Sequence, residues 1–454
     1  MKIFVLVLFI LMYVCVIALP KFKPHITGVT ALVLSVACAI SGDMLWHEAF
    51  TGAINYNVVM MLVGIMITVG LFTESGMPNK LADKLISSIP NAMWILVFMA
   101  ILSGVISAFV DNVATVLMLA PIGLAIAKKV GVSPIPVLIS IAVSSNLQGA
   151  ATLVGDTTSV MLGGFADMNF MEFFVLDGRL SIFFAVELGA LLTVPVLVFI
   201  FRKQNKKFEY LSEKVKVTTL FPSIMLILNI ACLVLCSFVP VPAGFIADHI
   251  NGLICLAFGI ICLIYHIATA KRTEKINDDG TTEFIGGKKQ AVKTVFGTID
   301  FPTVLFLIFL FIIIKAVESV GIINDISNMF VKVGSQNIFL LYTIIVFASV
   351  LISAFIDNIP YVATMLPVIQ GLVVGLGLPA SSPIAYLLYF GLLCGSTLGG
   401  NITPVGASAN VVAIGMLNKE GYEVKSSDFF KIGIPFTLVA VFGGYILTWL
   451  VWGM

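Results

Sequence analysis

The chain has 454 residues, of which 59% are hydrophobic and only 11% are charged. Soluble globular domains carry about 25% charged residues, so this composition excludes an ordinary soluble enzyme and a disordered scaffold. The net charge is +1 and the basic residues lie in short segments, so the chain offers no basic face that would bind nucleic acid. The composition predicts an all-α polytopic protein embedded in a lipid bilayer.

Apolar stretches long enough to cross a hydrocarbon core about 30 Å thick recur along the whole chain. The uninterrupted stretches, each predicted to form one spanning helix, are 3–19, 26–41, 57–73, 180–201, 221–239, 253–270, 303–320 and 431–452. The first is long for the apolar core of a signal peptide, so we expect it to be retained as a helix. Glycine and polar residues interrupt the remaining apolar stretches, which are 93–127, 136–164, 338–373 and 383–416.

Motifs in the first half of the chain return in the same order in the second half. Ser-Ala-Phe-Val-Asp-Asn at 107–112 returns as Ser-Ala-Phe-Ile-Asp-Asn at 353–358. Gly-Ala-Ala-Thr-Leu-Val-Gly at 149–155 is matched by Gly-Asn-Ile-Thr-Pro-Val-Gly at 400–406. Ordered matches at nearly constant spacing indicate an internal duplication. The predicted domains are an N-terminal repeat at 1–205, a cytoplasmic linker at 206–217 and a C-terminal repeat at 218–454.

Each repeat is predicted to contain a hairpin and a broken helix besides its spanning helices. The hairpins are 93–127 and 338–373, and the broken helices are 136–164 and 383–416. Each hairpin arm of about 15 residues would be about 22 Å long, which is too short to cross, so we expect the hairpins to be re-entrant. Counting the broken helix, five elements cross in each repeat. Because five is odd, the second repeat is predicted to be inverted relative to the first.

Basic and acidic loops alternate along the chain, and basic loops mark the cytoplasmic side. The basic loops include Lys21 with Lys23, the run 202–216 and the loop 271–293, whereas Asp248 lies in an acidic loop. This alternation predicts a bacterial-type cytoplasmic membrane protein with both termini outside. The polar 271–300 loop is expected to be a cytoplasmic linker that joins no separate domain.

Polar and ionisable residues occur at membrane depth, where one charge costs about 2.5–3.5 kcal/mol on insertion scales. Asp111-Asn112 and Asp357-Asn358 lie where the two hairpins should turn. Further polar residues lie beside the glycine-rich breaks: Asn146, Asp156, Thr158, Thr403 and Asn410. Their oxygens suit Na⁺, and a carboxylate can exchange Na⁺ for a proton. These residues are the candidate ion and substrate site, and Asp111, Asn112, Asp357 and Asn358 are the candidate Na⁺ ligands.

Structural roles are the simpler alternative for several of these residues. Asp111 or Asp357 alone would serve as a cap on the half-helix that follows it. The glycine-rich stretches would also allow close packing of helices. Lys315 and Glu318 are three residues apart within one helix, so they either neutralise each other or take part in coupling. No cofactor is expected besides Na⁺ as the transported or coupling ion.

The motifs resemble the ion transporter superfamily, in particular its branch of arsenite permeases, bacterial sodium–proton antiporters and the melanosomal P protein, which carry a citrate transporter-like domain. The resemblance implies inverted repeats, re-entrant hairpins and elevator-type alternating access. By position it points to the following ion-site residues: Asp111, Asn112, Asn146, Asp156, Thr158, Asp357 and Asn358. One departure concerns the first break, where the family usually reads Gly-Asp-Pro-Pro-Asn. Here 155–159 reads Gly-Asp-Thr-Thr-Ser, which leaves Ser159 as a weaker ligand in the first half-site.

The leading functional hypothesis is an ion-coupled secondary active transporter that exchanges Na⁺ for H⁺. An anion or oxyanion permease for arsenite, dicarboxylates or tricarboxylates is the alternative, although two aspartates at the hairpin tips would repel an anion. A channel is a further alternative, but opposed repeats favour alternating access. An intramembrane aspartyl protease would need a second aspartate, and the duplication places Ala407 opposite Asp156. The expected partners are the bilayer, small ions or anions, and a second copy of the chain in a homodimer.

Overall fold

The computed structural model describes residues 1–45, 47–208, 216–239, 244–270, 272–276 and 282–454. In the first half of the chain the helices are α1 (Lys2–Ala18), α2 (Lys23–Ser41), α3 (Glu48–Thr51), α4 (Tyr56–Glu74), α5 (Met77–Ile86), α6 (Ala92–Ser107), α7 (Asn112–Val130), α8 (Pro134–Gly149), α9 (Thr157–Phe165) and α10 (Ile182–Phe201). In the second half they are α11 (Phe221–Cys236), α12 (Phe245–Thr269), α13 (Lys288–Thr298), α14 (Phe301–Ser319), α15 (Ile322–Gly334), α16 (Ile338–Ser353), α17 (Asn358–Gly375), α18 (Pro383–Gly399), α19 (Ser408–Lys419) and α20 (Ser426–Trp452). The all-α prediction is confirmed.

Two short antiparallel strand pairs interrupt the helical pattern. Strands β1 (Val175–Leu176) and β2 (Arg179–Leu180) form a tight hairpin just before α10. Strands β3 (Arg272–Ile276) and β4 (Thr282–Gly286) pair in the segment before α13. Both pairs are connecting structures and neither forms part of a larger sheet among the described residues.

Eight helices of the described residues are long and apolar enough to cross a membrane by length and composition: α2, α4, α7, α10, α12, α14, α17 and α20. Large apolar side chains on the helices face outward, among them Leu191 (66% exposed) and Ile227 (66%). Soluble monomers rarely expose apolar surface on this scale, because its hydration is unfavourable. The chain is therefore a polytopic integral membrane protein, as predicted.

The predicted hairpin arms are longer in the structure than the sequence analysis assumed. The second arms are α7, with 19 residues, and α17, with 18 residues. At about 1.5 Å per residue these helices are about 27–28 Å long, so the argument that every arm is too short to cross is wrong for them. Helix α7 continues through Lys128 and Lys129 to a left-handed Gly131, beyond the end of the predicted hairpin. The re-entrant topology stays a prediction.

Part of the predicted loop 271–300 is ordered into a helix, so that prediction is wrong for Lys288–Thr298. Helix α13 buries Ala291 and Val295, which are four residues apart and therefore lie on one face. Val295 packs in a hydrophobic cluster with Ile67, Leu71 and Cys262. Because the segment is polar apart from this narrow face, its mean hydropathy is low and did not indicate a helix. The linker predicted at 206–217 falls largely on 209–215, outside the described residues.

Two amphipathic helices, α5 and α15, were not predicted. Each precedes a hairpin, and each combines charged residues with an apolar face. In α15 the buried face includes Ile322, Ile323 and Ser327. Both helices are too short and too polar to be detected as spanning segments, and only a search at the helical period would have found them.

The chain forms two compact units that cut across the predicted repeats. One comprises Met1–Asn55, Ala82–Glu213 and Leu305–Met454, and the other comprises Tyr56–Leu81 and Lys214–Val304. In the first unit, α8 and α18 are buried along almost their whole length, so they form its centre. The hairpin helices α6 and α7 pack against α8, and α16 and α17 pack against α18. The repeat boundaries stay predictions.

The duplicated sequence folds into duplicated local structure. Asn91 and Asn337 cap the first arm of each hairpin, because their side chains accept hydrogen bonds from Trp94 N and Leu340 N respectively. The central helices α8 and α18 each begin with a serine cap followed by proline. Equivalent residues therefore cap equivalent helices in both halves of the chain.

Gly155 and Gly406 allow the two helix breaks to lie directly against the hairpin turns. A Cβ on Gly155 would be 2.6 Å from Gly149 O and 2.7 Å from Ala108 O. A Cβ on Gly406 would be 2.6 Å from Gly400 O and 2.8 Å from the equivalent hairpin carbonyl. These distances are too short for any Cβ, so only glycine permits this backbone approach.

Gly155→Ala is therefore expected to destabilise the protein, because the new methyl group meets backbone atoms that cannot rotate away. Overpacking of this kind costs about 1–3 kcal/mol. Gly415→Ala is the matched control, because a Cβ on Gly415 would meet nothing within 4 Å. Thermal unfolding in detergent checks both variants. A melting temperature for Gly155→Ala as high as that of Gly415→Ala would contradict the close approach.

Candidate functional site

Threonines in the two helix breaks bond to the hairpin turns. The breaks are the non-helical segments 150–156 and 400–407, between α8 and α9 and between α18 and α19. Thr152 Oγ1 donates a hydrogen bond to Ala108 O, and Thr403 Oγ1 donates to Ala354 O. Both threonines are almost fully buried. The predicted site residue Thr403 therefore links its break to the second hairpin, and Thr152 does the same in the first repeat.

Half-helices of one repeat pack against the hairpin of the other repeat. Helix α9, from the first break, contacts α17 and α18. Helix α19, from the second break, contacts α7 and α8. This crossed packing brings both hairpin tips and both breaks into one region of the first compact unit.

Asn146 joins the two repeats through its amide group. Its Oδ1 accepts a hydrogen bond of 2.9 Å from Asn112 Nδ2 at the first hairpin tip. Its Nδ2 donates to Asn401 Oδ1 (2.8 Å) and to Asn410 Oδ1 (3.0 Å) at the second break. Asn146, Asn401 and Asn410 are fully buried, and Asn112 is nearly so. A buried network with its amide donors and acceptors paired is rigid and specific, so we treat these residues as the centre of the candidate site.

Asp111 and Asp357 cap the second arms of their hairpins, which is the structural role that the sequence suggested as the alternative to ion binding. Asp111 Oδ1 accepts from Val113 N (3.0 Å) and Ala114 N (3.2 Å). Asp357 Oδ1 accepts from Ile359 N at 3.4 Å. Capping engages one oxygen of each carboxylate in these contacts. The capping role is therefore real, and it leaves the negative charge of each carboxylate in place.

The second oxygen of Asp357 is paired with a lysine. Lys23 Nζ lies 2.6 Å from Asp357 Oδ2, and both side chains are largely buried. Lys23 is the first residue of α2, and the sequence analysis assigned it to a cytoplasmic loop. Its side chain instead reaches the hairpin tip. The ammonium group lies where a monovalent cation bound to this carboxylate would lie.

Asp156 caps α9 and also contacts the second repeat indirectly. Its Oδ1 accepts from Thr157 N (2.7 Å), and its Oδ2 accepts from Thr158 Oγ1 (2.9 Å). Thr158 Oγ1 lies 3.3 Å from Thr397 Oγ1 on α18. The carboxylate of Asp156 interacts electrostatically with Asp111 and Asp357. The predicted residues Asp156 and Thr158 are thus close to the hairpin tips.

Asn358 and Ser159 each form a hydrogen bond within their own repeat. Asn358 Oδ1 accepts a hydrogen bond of 2.6 Å from Ser353 Oγ within its own hairpin. Ser159 Oγ donates to Gly149 O at 3.4 Å, and its counterpart Asn410 Nδ2 donates to Gly400 O at 3.0 Å. Serine therefore keeps one backbone contact of asparagine, whereas Asn410 also accepts a hydrogen bond from Asn146 of the other repeat.

Lys315 and Glu318 pair with each other, as their spacing predicted. Lys315 Nζ lies 3.1 Å from Glu318 Oε2, and both side chains are more than one third exposed. No hydrogen bond between described residues joins either of them to Asn146 or the tip carboxylates. A coupling role for Lys315 and Glu318 therefore has no support from a contact.

The cluster contains the kinds of oxygen ligand that a hard monovalent cation would need. Carboxylate, amide, hydroxyl and backbone oxygens converge, which is the donor set that Na⁺ and other hard cations prefer. The described residues contain no group of three His, Cys, Asp or Glu side chains that could hold a metal ion by themselves. Any bound cation would therefore rely partly on neutral oxygens.

Comparison with known proteins identifies the family. A model of the citrate transporter family matches residues 6–391. The chain belongs to this family. It is a membrane transporter, and the family resemblance predicted from the hairpin and break motifs is confirmed.

Relatives align over nearly the whole chain. An uncharacterized transporter of Mycobacterium tuberculosis is 28% identical over 458 residues, which cover 99% of this chain and 98% of that protein. The P protein of Homo sapiens is 24% identical over 467 residues, which cover 90% of this chain and 55% of that protein. This chain therefore corresponds to about half of the P protein.

Solved transporter structures share the fold. The YdaH transporter of Alcanivorax borkumensis has a TM-score of 0.54 at 13% identity, covering 91% of this chain and 88% of that one. MtrF of Neisseria gonorrhoeae, described as representing a class of antimetabolite efflux pumps, has a TM-score of 0.54 at 15% identity, covering 92% and 84%. At these identities the likeness concerns the fold alone.

Sequence reasoning missed several residues of the cluster. Thr397 occupies the position that the duplication pairs with Asn146, and Asn401 lies directly after the two glycines of the second break. A systematic comparison of the two repeats would have identified Thr397, whereas Asn401 stands opposite Ala150 and is not marked by the duplication. Lys23 has no such signal, because it lies far from the motifs in sequence and its contact with Asp357 depends on the tertiary fold.

Asn146→Ala is expected to destabilise the protein and to abolish transport. The change leaves Asn112, Asn401 and Asn410 each without one partner in a buried region, at about 1–3 kcal/mol for each orphaned group. Asn418→Ala is the control, because Asn418 is exposed on α19. Thermal unfolding and transport in proteoliposomes check both variants. Equal melting temperatures for the two variants would show that the amide network contributes no stability.

Proposed function

We propose that the protein is an ion-coupled secondary active transporter that exchanges Na⁺ (or Li⁺) for H⁺ across the membrane. The observation that carries the proposal is the buried contact of Asn146 with the first hairpin tip and with the second helix break. A site shared by both repeats changes shape whenever the repeats move relative to each other. Such a site suits alternating access, in which the ion is bound first from one side and then from the other.

The charge of the region favours a cation. The carboxylate of Asp156 interacts with those of Asp111 and Asp357. Lys23 is paired with Asp357 and balances one negative charge. Carboxylates this close together would repel an anion, whereas Na⁺ or a proton would relieve the repulsion between them. Exchange follows if Na⁺ and protons compete for the same carboxylates.

The proposed movement is of the elevator type, with two inverted repeats. The crossed packing of α9 on α17 and of α19 on α7 supports it, because each hairpin is attached to the opposite repeat. The solved structures of similar fold are described as a transporter and as an efflux pump, which agrees with a transport role. Inversion, the re-entrant hairpins and the outside location of both termini belong to this proposal.

Asp111→Asn and Asp357→Asn are each expected to abolish Na⁺-dependent proton flux while leaving folding largely intact. Asparagine caps a helix as well as aspartate does, so the hydrogen bonds to Val113 N and Ile359 N survive. Both variants lose the negative charge, and in Asp357→Asn the Lys23 ammonium also loses its partner, so a lower melting temperature is expected for that variant than for Asp111→Asn. Flux is measured with a pH-sensitive dye inside liposomes, and thermal unfolding reports the fold. Normal transport by both variants would mean that the aspartates are caps only.

Lys23→Gln is expected to lower the Na⁺ concentration needed for half-maximal transport, by about tenfold or more. The change removes the ammonium group that lies 2.6 Å from Asp357 Oδ2 and competes with Na⁺ for that oxygen. Lys431→Gln is the control, because Lys431 is exposed and pairs with Asp428 on its own helix. An unchanged or raised Na⁺ requirement in Lys23→Gln would contradict the competition.

A dicarboxylate or tricarboxylate such as citrate, carried with Na⁺, is the second candidate. The family name favours it, and so does one asymmetry of the site. Helix α9 is capped by Asp156, whereas α19 begins after Ala407, with no side-chain hydrogen bond at its cap. The positive end of α19 is therefore left for an anion, as half-helix N-termini in other transporters are. Na⁺ bound at the tips would offset the repulsion from the aspartates.

One reconstitution separates the two candidates. Purified protein in liposomes with an internal pH dye receives Na⁺, Li⁺, K⁺, citrate and arsenite in turn. Proton movement on addition of Na⁺ or Li⁺ alone supports antiport. Uptake of radiolabelled citrate that requires Na⁺, with no proton movement on Na⁺ alone, would overturn antiport in favour of the carboxylate carrier.

A further inference from the structure

A second polar site lies beside the candidate ion site, in a cavity between α6, α8 and α10 that opens beside the outward-facing Val105 and Leu191. The cavity has a volume of about 220 Å³. Its lining is mostly apolar, and its polar side chains are Gln148, Glu187, Ser144 and Thr193. The volume is sufficient for a few water molecules, whose share in the liquid is about 30 Å³ each. The function proposed above does not use this cavity.

Gln148 and Glu187 form the polar end of the cavity. Gln148 Nε2 donates a long hydrogen bond of 3.4 Å to Glu187 Oε2. Gln148 is only 6% exposed, and its Oε1 has no hydrogen-bond partner among the described residues. A buried acceptor without a donor is unfavourable by about 1–3 kcal/mol, so its retention calls for a functional explanation.

Glu187 has no positive partner in this cavity. No Lys, Arg, His, Asp or second Glu belongs to the lining that the described residues of α6, α8 and α10 provide. Helix α20, which also packs on α10, contributes apolar contacts there, with Gly443 near Leu192 and Gly444 near Ala185. The basic residues Arg202 and Lys203 follow the far end of α10. A carboxyl group in such surroundings is neutralised most simply by a proton.

The first repeat is specifically built to hold Gln148 in this place. A Cβ on Gly104 would lie 2.6 Å from Gln148 Oε1, so the glycine makes room for the amide. In the second repeat the duplication pairs Gly104 with Val350 and Gln148 with Gly399. There a Cβ on Gly399 would lie 2.6 Å from Val350 O. In the first repeat the glycine is at 104 on α6, whereas in the second repeat it is at 399 on α18. Only the first repeat therefore has room for a polar side chain at this position.

We propose that Glu187 is a proton-binding site and that Gln148 is its partner, which turns over its amide group when the proton arrives. Ionised Glu187 accepts a hydrogen bond from Gln148 Nε2, which is the arrangement in the structure. Protonated Glu187 becomes a donor, so it requires an acceptor. A half-turn of the amide presents Gln148 Oε1 to the new O–H and ends the isolation of that oxygen.

The same half-turn carries Gln148 Nε2 to the side of Gly104, where Gln148 Oε1 and Ser144 O lie 2.6 Å and 3.1 Å from the position that a Cβ on Gly104 would occupy. The protonated state therefore gives Gln148 Oε1 a donor, which this oxygen lacks among the described residues in the ionised state. In this step one proton passes from water to the Glu187 carboxylate, and no other bond is made or broken.

Gln148 is placed to transmit protonation to the ion site. It lies on the last turn of α8, two positions after Asn146 and next to the break at 150–156. A proton at Glu187 would therefore change the hydrogen bonding at the end of α8, the helix that carries Asn146. The role in coupling rests on the proposed antiport, whereas proton binding by Glu187 does not.

Infrared difference spectroscopy tests proton binding directly. The wild-type protein in membranes, titrated from about pH 5 to about pH 9, should show the C=O stretch of a protonated carboxylic acid that is absent from Glu187→Gln. Glu420→Gln is the control, because Glu420 is exposed and paired with Lys128. Glu187→Asp, which keeps the carboxyl group but shortens its reach, should shift the pH at which the band appears. Identical spectra for wild type and Glu187→Gln would overturn the proposal, whatever the transported solute.

Transport then tests coupling separately. Glu187→Gln should retain exchange of labelled Na⁺ for unlabelled Na⁺ but lose at least tenfold of the flux driven by a pH gradient. Undiminished flux driven by a pH gradient would overturn the coupling role. A wild-type protein that binds the proton at Glu187 but moves no Na⁺ would contradict the antiport while leaving the proton site intact.

Discussion

A helix that is interrupted inside a membrane protein leaves backbone groups that lipid cannot satisfy, and the protein must supply their partners itself. In this transporter the hydroxyls of Thr152 and Thr403 donate to carbonyls of the hairpin turns, and Asn410 donates to the carbonyls of Gly400 and Thr403. These bonds require each break to lie against a hairpin. The close glycine contacts, the buried central helices and the nearness of the carboxylates all follow from that requirement.

The two repeats share this framework but differ where chemistry is expected. Asp156 stands opposite Ala407, and Ser159 opposite Asn410, so one break carries charge and the other carries an amide. Such differences concentrate negative charge on one side of the cluster and leave a helix terminus uncapped on the other side. The duplication thus provides a scaffold with equivalent geometry, and unequal side chains make the proposed site asymmetric.

Much of the fold could be predicted from the sequence, because apolar length and internal repetition are strong signals. The spanning helices, the interruptions and the repeated caps follow from hydropathy, glycine content and motif spacing. Helices α5, α13 and α15 were missed because short amphipathic segments have a low mean hydropathy. The predicted site residues at the tips and breaks do converge, but their partners Lys23 and Asn401 arise from contacts between residues hundreds of positions apart. No local pattern encodes such contacts.

The contact between Lys23 and Asp357 would also oppose movement of the transporter without a bound ion. Lys23 belongs to α2 and Asp357 to the start of α17, so any movement that draws the hairpin away from α2 must separate the two charges. Separating a partly buried ion pair leaves two unbalanced charges, which is costly unless another cation takes the place of the ammonium. Under the proposed exchange, a carrier without a bound ion would therefore be held in place by its own lysine. Slippage, the futile passage of the empty carrier, would be suppressed by the same side chain that an incoming ion displaces.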